Sequence, residues 1–321
     1  MSTATVEDIT AVTGAGDAIR GRTPWQLFWG RFRQDRLAFV GLGIIVFMVI
    51  LALVAPLIAS ITGHDPNATF SAIAQDERGQ PLGPNSDFWL GADASGRDVA
   101  VRLAYGARVS LIVGIVASGI ALVIGVLVGI IAGFVGGWVD TAISRAGDVM
   151  LALPLIIFVI GIVAACSTSE EGCFNGLLKP GLLLVILIIA FFSWPTPARL
   201  VRGATLSLRE KEFVEAARAL GATRGRIMFR EILPNLIAPI VVYGSLLIPA
   251  SILFESYLSF LGLGIPGDTP SWGKMLSESV PYLRTAWWFW LFPGLFLMLT
   301  VLAFNLLGDG LRDALDPRTG R

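Results

Sequence analysis

Charged residues are scarce in this sequence, and the residues that most often hold metals are scarcer still. Only 15% of its 321 residues are charged, whereas soluble domains carry about 25%. A single histidine, His64, and two cysteines, Cys166 and Cys173, leave too little material for a metal or thiol site. The formal net charge of zero gives no basis for nucleic-acid binding. These shortages argue against a soluble domain and favour a membrane protein.

The apolar residues are gathered into runs long enough to cross a membrane. A membrane-spanning helix needs about 20 apolar residues, and six segments of the chain reach that length. They cover residues 37–61, 109–133, 147–166, 181–198, 233–255 and 286–308. The first run follows 36 other residues and is too long for a cleaved signal sequence, so we expect an anchor that stays. The predicted fold class is an all-α polytopic membrane protein with six transmembrane helices.

The distribution of lysine and arginine predicts the orientation of these helices. With the N-terminus inside, the inner segments carry 17 basic residues and the outer segments carry 7. Because basic residues accumulate on the cytoplasmic side, we expect both termini in the cytoplasm. The regions are a cytoplasmic tail with an interfacial helix (1–36), a transmembrane domain (37–308) with an outer loop (62–108) and a cytoplasmic loop (199–232), and a cytoplasmic tail (309–321).

Two local patterns predict how helices are placed. In "PWQLFWGRFRQDR" (24–36), four aromatic residues recur at helical spacing with arginines around them, which predicts an amphipathic helix in the inner interface. In the second span, Gly125, Gly129 and Gly133 share one helix face. Small residues on one face let another helix approach closely, although a glycine-rich span without a specific neighbour is the alternative.

The spans contain prolines but few charges. Pro154, Pro239, Pro249 and Pro293 lie within them, and each can kink its helix because it lacks a backbone donor. No lysine, arginine or aspartate lies at the middle of a span, so the ion-coupling groups of a pump are lacking. The stretch "GADASGRD" (91–98) has the glycine spacing of a phosphate loop, but Arg-Asp replaces Lys-Ser/Thr. It also lies on the predicted outer side, so we exclude it as an ATP site.

Residues 212–235, "EFVEAARALGATRGRIMFREILPN", form a charged block between the fourth and fifth spans. Helical spacing places Phe213, Ala216, Ala217 and Leu220 on one face of a first helix. The alanines make part of that face small, so that another surface can come close.

The centre of the charged block predicts a tight turn. Gly221 is a suitable C-cap for the first helix. A second helix is expected from about Thr223 to Pro234, running into the fifth span. Two interpretations follow from the residues alone: a surface that docks into a cleft of another protein, or a solvated amphipathic hairpin on the membrane surface.

The charged block resembles the EAA loop of ABC-importer permeases, whose pattern is "EAA", three residues, Gly, nine residues and "I-x-L-P". The residues that match are Glu215, Ala216, Ala217, Gly221, Leu233 and Pro234. Glu231 occupies the isoleucine position, and Ile232 follows one residue late. Four more stretches resemble the C-type subunits of the dipeptide/oligopeptide/nickel branch: "RFRQDRLAFVGL" (31–42), "LGADASGRDVAVRLAYGARVSL" (90–111), "LSFLGLGIPGDTPSWGKML" (258–276) and "LLGDGLRDALDPR" (306–318).

The resemblance implies an ABC type I importer permease fold and the partners of such a permease. A second, homologous permease would enclose the pathway with this chain. Two cytoplasmic ABC ATPases would dock on the EAA loops, an extracytoplasmic substrate-binding protein would deliver substrate, and membrane lipid would surround the spans. ATP and Mg would bind to the ATPases, so this chain would hold no cofactor and would not be an enzyme. The implied location is the plasma (inner) membrane of a bacterium or archaeon.

The same likeness implies roles within the charged block. Residues 208–226 would form the coupling helix that enters a groove of an ATPase subunit. Glu215 would make a charged contact there, Ala216 and Ala217 would allow a close approach, and Gly221 would permit the turn.

Three features lie away from the charged block. Glu255, at the predicted outer edge of the fifth span, is a candidate for an outer gate, a helix-stabilising contact or a plain interfacial carboxylate. Cys166 and Cys173 flank a predicted outer loop, where they are a candidate disulfide or two free thiols. By the likeness, the segment 267–276 would face the binding protein or the partner permease.

The predicted function is that of the transmembrane subunit of an ATP-driven importer of di- and oligopeptides. A permease for nickel or another small solute in the same branch is the alternative, because the binding protein selects most of the substrate. An ion-coupled secondary carrier would need intramembrane coupling groups or an inverted repeat, and neither is evident in the sequence. A membrane enzyme would need clustered His, Asp or Ser at one depth, which His64 alone does not supply.

Overall fold

The computed structural model describes residues 24–167 and 179–315, and apart from two isolated bridges their regular structure is helical. The helices in chain order are α1 Pro24–Phe32, α2 Arg36–Thr62, α3 Ser71–Ala74, α4 Val99–Val135, α5 Gly137–Ala152, α6 Leu155–Ser167, α7 Leu182–Ser193, α8 Pro195–Leu208, α9 Glu212–Ala219, α10 Arg224–Arg226, α11 Leu233–Phe260, α12 Trp272–Ser279 and α13 Trp287–Leu315. A π-helix, Ile227–Ile232, joins α10 to α11, and a 3₁₀ turn, Val280–Tyr282, follows α12.

Five helical stretches of the described residues are long and apolar enough to cross a membrane. They are α2, α4, α7 with α8, Arg224–Phe260 and α13. The pair α5 and α6 passes the same test together but bends by 85°, so there are six spans if that pair counts as one. Leu153, at the bend, is extended because Pro154 follows it. Pro154 therefore breaks the third predicted span, whereas Pro239, Pro249 and Pro293 lie inside helices.

The longest helix, α4, begins before the predicted second span. It starts at Val99, so residues 99–108, which were expected in the outer loop, are helical. Asp98 caps this start, because its carboxylate accepts hydrogen bonds from the backbone N–H groups of Ala100 and Val101 at 2.8 and 3.3 Å. Charged residues at the start of α4 interrupt the apolar run, and for that reason hydropathy placed the beginning of the span too late.

Two other helices also extend past the predicted spans. The fourth predicted span, formed by α7 and α8, continues to Leu208, so residues 199–208 of the expected cytoplasmic loop are helical. Pro195 opens α8 at its first position, where the missing backbone N–H costs no intrahelical hydrogen bond. The last helix, α13, runs to Leu315 rather than ending at residue 308.

Helices α4 and α8 approach each other along the predicted glycine stripe. A Cβ atom added to each glycine would lie less than 3 Å from α8: Gly125 2.6 Å from Pro197 Cγ, Gly129 2.6 Å from the carbonyl oxygen of Ala198, and Gly133 2.7 Å from Thr205 Cβ. Real Cβ atoms are not found at such distances, so only glycine permits this contact. The prediction that these glycines admit a neighbouring helix is confirmed, and the neighbour belongs to the same chain.

The N-terminal helix α1 packs against the end of α13. Phe32 is buried in a cluster with Ala38 and Ala314, and Trp29 is 41% exposed. The predicted helix is present, but part of its aromatic stripe contacts protein. The side chain of Trp25 lies outside the described residues.

Two tryptophans join the loop segments to the ends of α4 and α13. Trp272 of α12 is fully buried, and its indole N–H donates a 3.2 Å hydrogen bond to the carbonyl oxygen of Leu103 in α4. Trp288 of α13 donates in the same way to Ala92 at 3.1 Å. These contacts fix the segment before α4 and the segment around α12 at the end of the helices opposite the charged block.

Candidate coupling site

The first helix of the charged block, α9, has one covered face and one exposed face. Val214 is fully buried and Ala217 is half-buried, whereas Glu215 and Ala216 are exposed. Leu220, directly after the helix, is 88% exposed. Of the small residues matched to the EAA pattern, Ala216 therefore lies on the outward surface, and Ala217 packs toward the protein.

An apolar cluster beneath α9 supports it. Val214 packs there with residues from the ends of α4, α8, the π-helix and α11: Ile130, Phe134, Val201, Ile227, Ile232 and Leu236. Because protein interiors are close-packed, α9 is in direct contact through this cluster with the ends of these helices.

Gly221 ends α9 in the left-handed conformation, with φ +77°. The N–H of Gly221 donates to the carbonyl of Arg218 at 2.9 Å, and the N–H of Ala222 donates to that of Ala217 at 3.0 Å. This pair of bonds is the Schellman motif, which satisfies carbonyl groups that a helix end leaves free. The predicted C-cap at Gly221 is confirmed.

The second helix of the charged block contains a π-helical segment. The side chain of Thr223 caps its start by accepting a 3.4 Å hydrogen bond from the N–H of Arg226. At its end, the N–H of Leu233 donates to the carbonyl of Met228, five residues back. Pro234 follows with no N–H, at the start of α11, where proline is tolerated. The second helix thus begins where the sequence predicted and, as predicted, continues into the fifth span.

The π-helix explains the departure from the EAA pattern at Glu231. A π-helix bonds residue i to i+5, so residues five apart fall on similar faces, whereas an α-helix repeats after about 3.6 residues. Ile227 is 2% exposed and Ile232 is 0% exposed, and both belong to the cluster under α9. Ile232 therefore takes the inward place one residue later than the general pattern expects, and Glu231 is only half-buried.

Ion pairs hold α8 to α5 beside the charged block. The guanidinium of Arg202 makes a bidentate contact with Asp140, with Nη2 2.6 Å from Oδ2. Arg199 Nη2 lies 2.5 Å from Asp148 Oδ1. Bidentate arginine–carboxylate pairs add geometric specificity to charge attraction. These contacts position the end of α8, from which the chain enters the charged block.

Glu255 lies far from the charged block and is fully buried. Its carboxylate accepts hydrogen bonds from the hydroxyl groups of Ser110 at 3.0 Å, Ser259 at 2.7 Å and Ser256 at 3.4 Å. Because Pro234 and Glu255 are 21 positions apart on α11, they lie about 30 Å from each other along the helix. The contacts join α4 to α11, as a helix-stabilising role requires, and a role in gating stays a prediction.

The other predicted site residues lie elsewhere. Cys166 is buried near the end of α6, and Cys173 lies outside the described residues, so the disulfide stays a prediction. In the segment 267–276, Trp272 and Gly273 are buried within this chain, whereas Asp268 is exposed. The part of that segment open to a partner is therefore its beginning.

The structure shows a buried ion cluster that the sequence interpretation missed. Arg97 Nε lies 2.6 Å from Asp93 Oδ2, and Arg97 Nη2 lies 2.8 Å from Glu278 Oε2. Arg102 adds contacts of 3.3 Å to the same two carboxylates. Burial opposes the charged form of Arg97, but Asp93 and Glu278 outweigh it and raise its pKa above the ordinary value. The stretch that had the spacing of a phosphate loop is thus an ionic junction.

His64 takes part in a second junction near that cluster. Its Nδ1 lies 2.7 Å from Asp98 Oδ2, and its ring stacks on Phe88 with centroids 4.9 Å apart. Because Asp98 also caps α4, the contact ties the end of α2 to the start of α4. His64, the one histidine in the sequence, therefore has a structural role in joining these two helices.

Comparison with known proteins places this architecture in a family. A sequence model described as the binding-protein-dependent transport system inner membrane component matches residues 125–321. A second, described as the N-terminal TM domain of oligopeptide transport permease C, matches residues 23–81. A solved chain of the inward-facing MetNI methionine ABC transporter is similar in fold, with TM-score 0.54 and 19% identity over 67% of this chain and 96% of that one.

Relatives align over most of their length. The dipeptide transport system permease protein DppC of Alkalihalophilus pseudofirmus is 43% identical, with 92% of this chain and 90% of the relative covered. The oligopeptide transport system permease protein OppC of Escherichia coli K12 is 41% identical, over 94% and 93%. The glutathione transport system permease protein GsiD of Salmonella typhimurium is 43% identical, over 92% and 91%. This chain therefore belongs to the family of binding-protein-dependent transport system inner membrane components, among its C-type permeases, and is a multi-pass protein of the bacterial inner membrane.

Proposed function

We propose that this chain is the transmembrane subunit of an ATP-driven importer of di- and oligopeptides. Relatives that align over nearly their whole length are named for dipeptide, oligopeptide and glutathione transport. All three substrates are peptides or peptide-like, which supports the same substrate class here. The chain would form half of the translocation pathway, with a second homologous permease forming the other half.

The charged block would transmit the conformational change of the ATPases to this chain. The observation that carries this proposal is the way in which α9 packs against the protein. Glu215 and Ala216 are exposed on one side of α9, and Val214 is buried on the other side, in the cluster that α9 shares with α4, α8 and α11. A rigid helix end at Gly221 keeps the exposed surface in a fixed orientation. Closure of two cytoplasmic ATPases around bound ATP and Mg would then rock those helices as a body.

The proposed topology has the charged block and both termini in the cytoplasm. An extracytoplasmic binding protein would contact the opposite end, where the ion cluster and the exposed beginning of the segment 267–276 lie. The energy source would thus act at one end of the helices and the substrate would arrive at the other.

Reconstitution tests the proposal. The chain is co-purified with its partner permease, ATPases and binding protein, and ATP-dependent uptake of labelled peptide into liposomes is measured. We expect Glu215→Arg and Gly221→Pro to abolish uptake with the chain still in the membrane, because the first reverses a docking charge and proline cannot adopt φ +77°. Asp309→Arg, an exposed charge reversal on α13 outside the charged block, serves as the control.

Three results would contradict the proposal. Normal uptake by the Glu215→Arg, Gly221→Pro double variant would remove the coupling role. Uptake by this chain without added ATPases would indicate a secondary carrier. Uptake of nickel but not of peptide by the complete assembly would transfer the substrate assignment to the alternative branch.

A further inference from the structure

A pocket of about 340 Å³ opens between the end of α4 and the charged block. Its described lining residues are Phe134, Val135, Arg218, Ala222, Arg224 and Ile227. Two of these residues are arginines, and none is acidic. The walls therefore combine positive charge with apolar surface, which suits a ligand that has an anionic head and an apolar body.

The charge of both pocket arginines is left unpaired by the described residues. The guanidinium carbon of Arg218 lies 5.7 Å from the ring centroid of Phe134, a cation–π contact that holds it over the pocket wall. Neither Arg218 nor Arg224 forms an ion pair within 24–167 and 179–315. By contrast, three arginines on or directly after α8 each form one: Arg199, Arg202 and Arg209. The pocket is thus an unneutralised positive site beside a well-paired helix.

The pocket lies at the depth expected for lipid headgroups. Val135 ends α4, and Trp138, which follows, is 80% exposed. Tryptophan is enriched at the headgroup level of membranes. Four exposed apolar residues form a stripe along α4 that ends in the pocket: Ile124, Leu127, Ile131 and Val135. At 1.5 Å per residue the stripe is about 16 Å long, close to one leaflet of a hydrocarbon core of about 30 Å.

We propose that this pocket binds the phosphate headgroup of an anionic phospholipid, with an acyl chain lying along the stripe. The two guanidinium groups provide charge-assisted hydrogen-bond donors for phosphate, and basic pockets beside transmembrane helices on the cytoplasmic side bind such headgroups. A lipid accounts for both halves of the pocket, whereas an acidic side chain of a partner protein would use only the arginines. The proposal rests on the proposed function in placing this end of α4 at the inner leaflet. The ATPases would dock on the exposed side of α9 that carries Glu215 and Ala216, and neither of these residues lines the pocket.

Native mass spectrometry of the full chain in detergent tests the assignment, with phosphatidylglycerol and phosphatidylcholine as probes. We expect phosphatidylglycerol to bind in preference. Arg218→Gln and Arg224→Gln should each weaken that binding about fivefold, because one basic residue near an anionic headgroup contributes about a factor of this size. Arg226→Gln removes an exposed arginine of the same block that does not line the pocket, and it should leave binding unchanged.

A second measurement uses the unmodified chain, so it does not depend on how the variants fold. Electron paramagnetic resonance of spin-labelled lipids should show a preference for phosphatidylglycerol that is lost near 1 M salt, where the screening length is about 3 Å. Equal binding of the two lipids would overturn the proposal, as would equal effects of Arg226→Gln and the pocket variants. Saturation of the site by inorganic phosphate alone would overturn the lipid as occupant. Loss of ATPase subunits from Arg218→Gln with lipid binding intact would assign the pocket to a protein carboxylate.

Discussion

Ile227 and Ile232 lie five residues apart in the chain, and both are buried against the cluster beneath α9. That spacing follows from the π-helix, whose hydrogen bonds join residues five apart. Glu231, which holds the corresponding position of the EAA pattern, is half-buried instead, and its carbonyl accepts a 2.7 Å hydrogen bond from the side chain of Asn235. The π-helical turn thus brings Ile232 to the apolar contact under the charged block, although Glu231 holds the isoleucine position of the pattern.

The π-helical register predicts effects of very different size at two adjacent positions. Ile232→Ala should cost about 2–5 kcal/mol in the free energy of unfolding, because it removes buried apolar volume. Glu231→Ala should change it by about 0.5 kcal/mol or less, as is usual away from the core. The midpoint temperature for loss of monodisperse protein in detergent measures the difference. A larger loss for Glu231→Ala would contradict the inward assignment of Ile232.

Local signals in the sequence predicted the turn at Gly221, the helices on either side of it and the close approach at Gly125, Gly129 and Gly133. Each depends on residues a few positions apart, whose steric properties act on their own neighbourhood. Periodicity did not show that Ala217 is on the covered side, because spacing defines a face without saying which partner covers it.

One missed feature depends on distant residues, and two depend on local signals that a hydropathy window does not resolve. Arg97 and Glu278 are separated by 181 positions, and only the folded chain brings them together. The 85° bend at Leu153 was underestimated, because a proline inside an apolar run is compatible with either a kink or a break. The start of α4 at Val99 depends on capping by Asp98, which a hydropathy window does not detect.

The glycine stripe on α4 predicts a steric contrast along one helix. Gly129→Ala would place its Cβ 2.6 Å from the carbonyl oxygen of Ala198, so we expect a destabilisation of about 1–3 kcal/mol from overpacking. Gly119→Ala is the matched control on α4, because its Cβ would meet no atom within 4 Å. That variant should be neutral or slightly stabilising, since alanine is the better helix former. Equal thermal midpoints for the two variants would show that α4 and α8 are not in tight contact.

The ion cluster predicts a large effect for a substitution that removes one of its charges. Arg97→Gln should destabilise the chain by about 3–5 kcal/mol, because it leaves the buried carboxylate of Asp93 and that of Glu278 with less compensating charge. Arg284→Gln, at an exposed arginine, should change stability by about 0.5 kcal/mol or less.

The stabilising charge of Arg97 should not depend on pH near neutrality. A group whose pKa is raised by folding contributes its full stabilisation below its unfolded pKa and loses it only as the pH rises through the folded pKa. For Arg97 both values lie above the physiological range, so the difference in thermal midpoint between Arg97→Gln and the unmodified chain should stay constant from about pH 6 to pH 8. A difference that vanishes within that interval would contradict the assignment of Arg97 as the stabilising group.

Glu255 provides a prediction that distinguishes a helix-stabilising contact from an outer gate. Glu255→Gln keeps a hydrogen-bonding group facing Ser110 and Ser259, so stability and uptake should both be largely retained. Glu255→Leu leaves these hydroxyl groups buried without their partner, at a cost of about 1–3 kcal/mol in the free energy of unfolding. Tyr257→Phe, an exposed change on the same helix, is the control.

The two roles of Glu255 differ in which measurement changes. If Glu255 stabilises the contact between α4 and α11, a variant should lose uptake in liposomes only to the extent that its thermal midpoint falls. Ser110→Ala should then have little further effect on stability in the Glu255→Leu background, because the two side chains form one contact. For a gate, Glu255→Gln abolishes uptake while the thermal midpoint is unchanged. We expect the first result, because the carboxylate is fully buried within this chain and bonded to both helices.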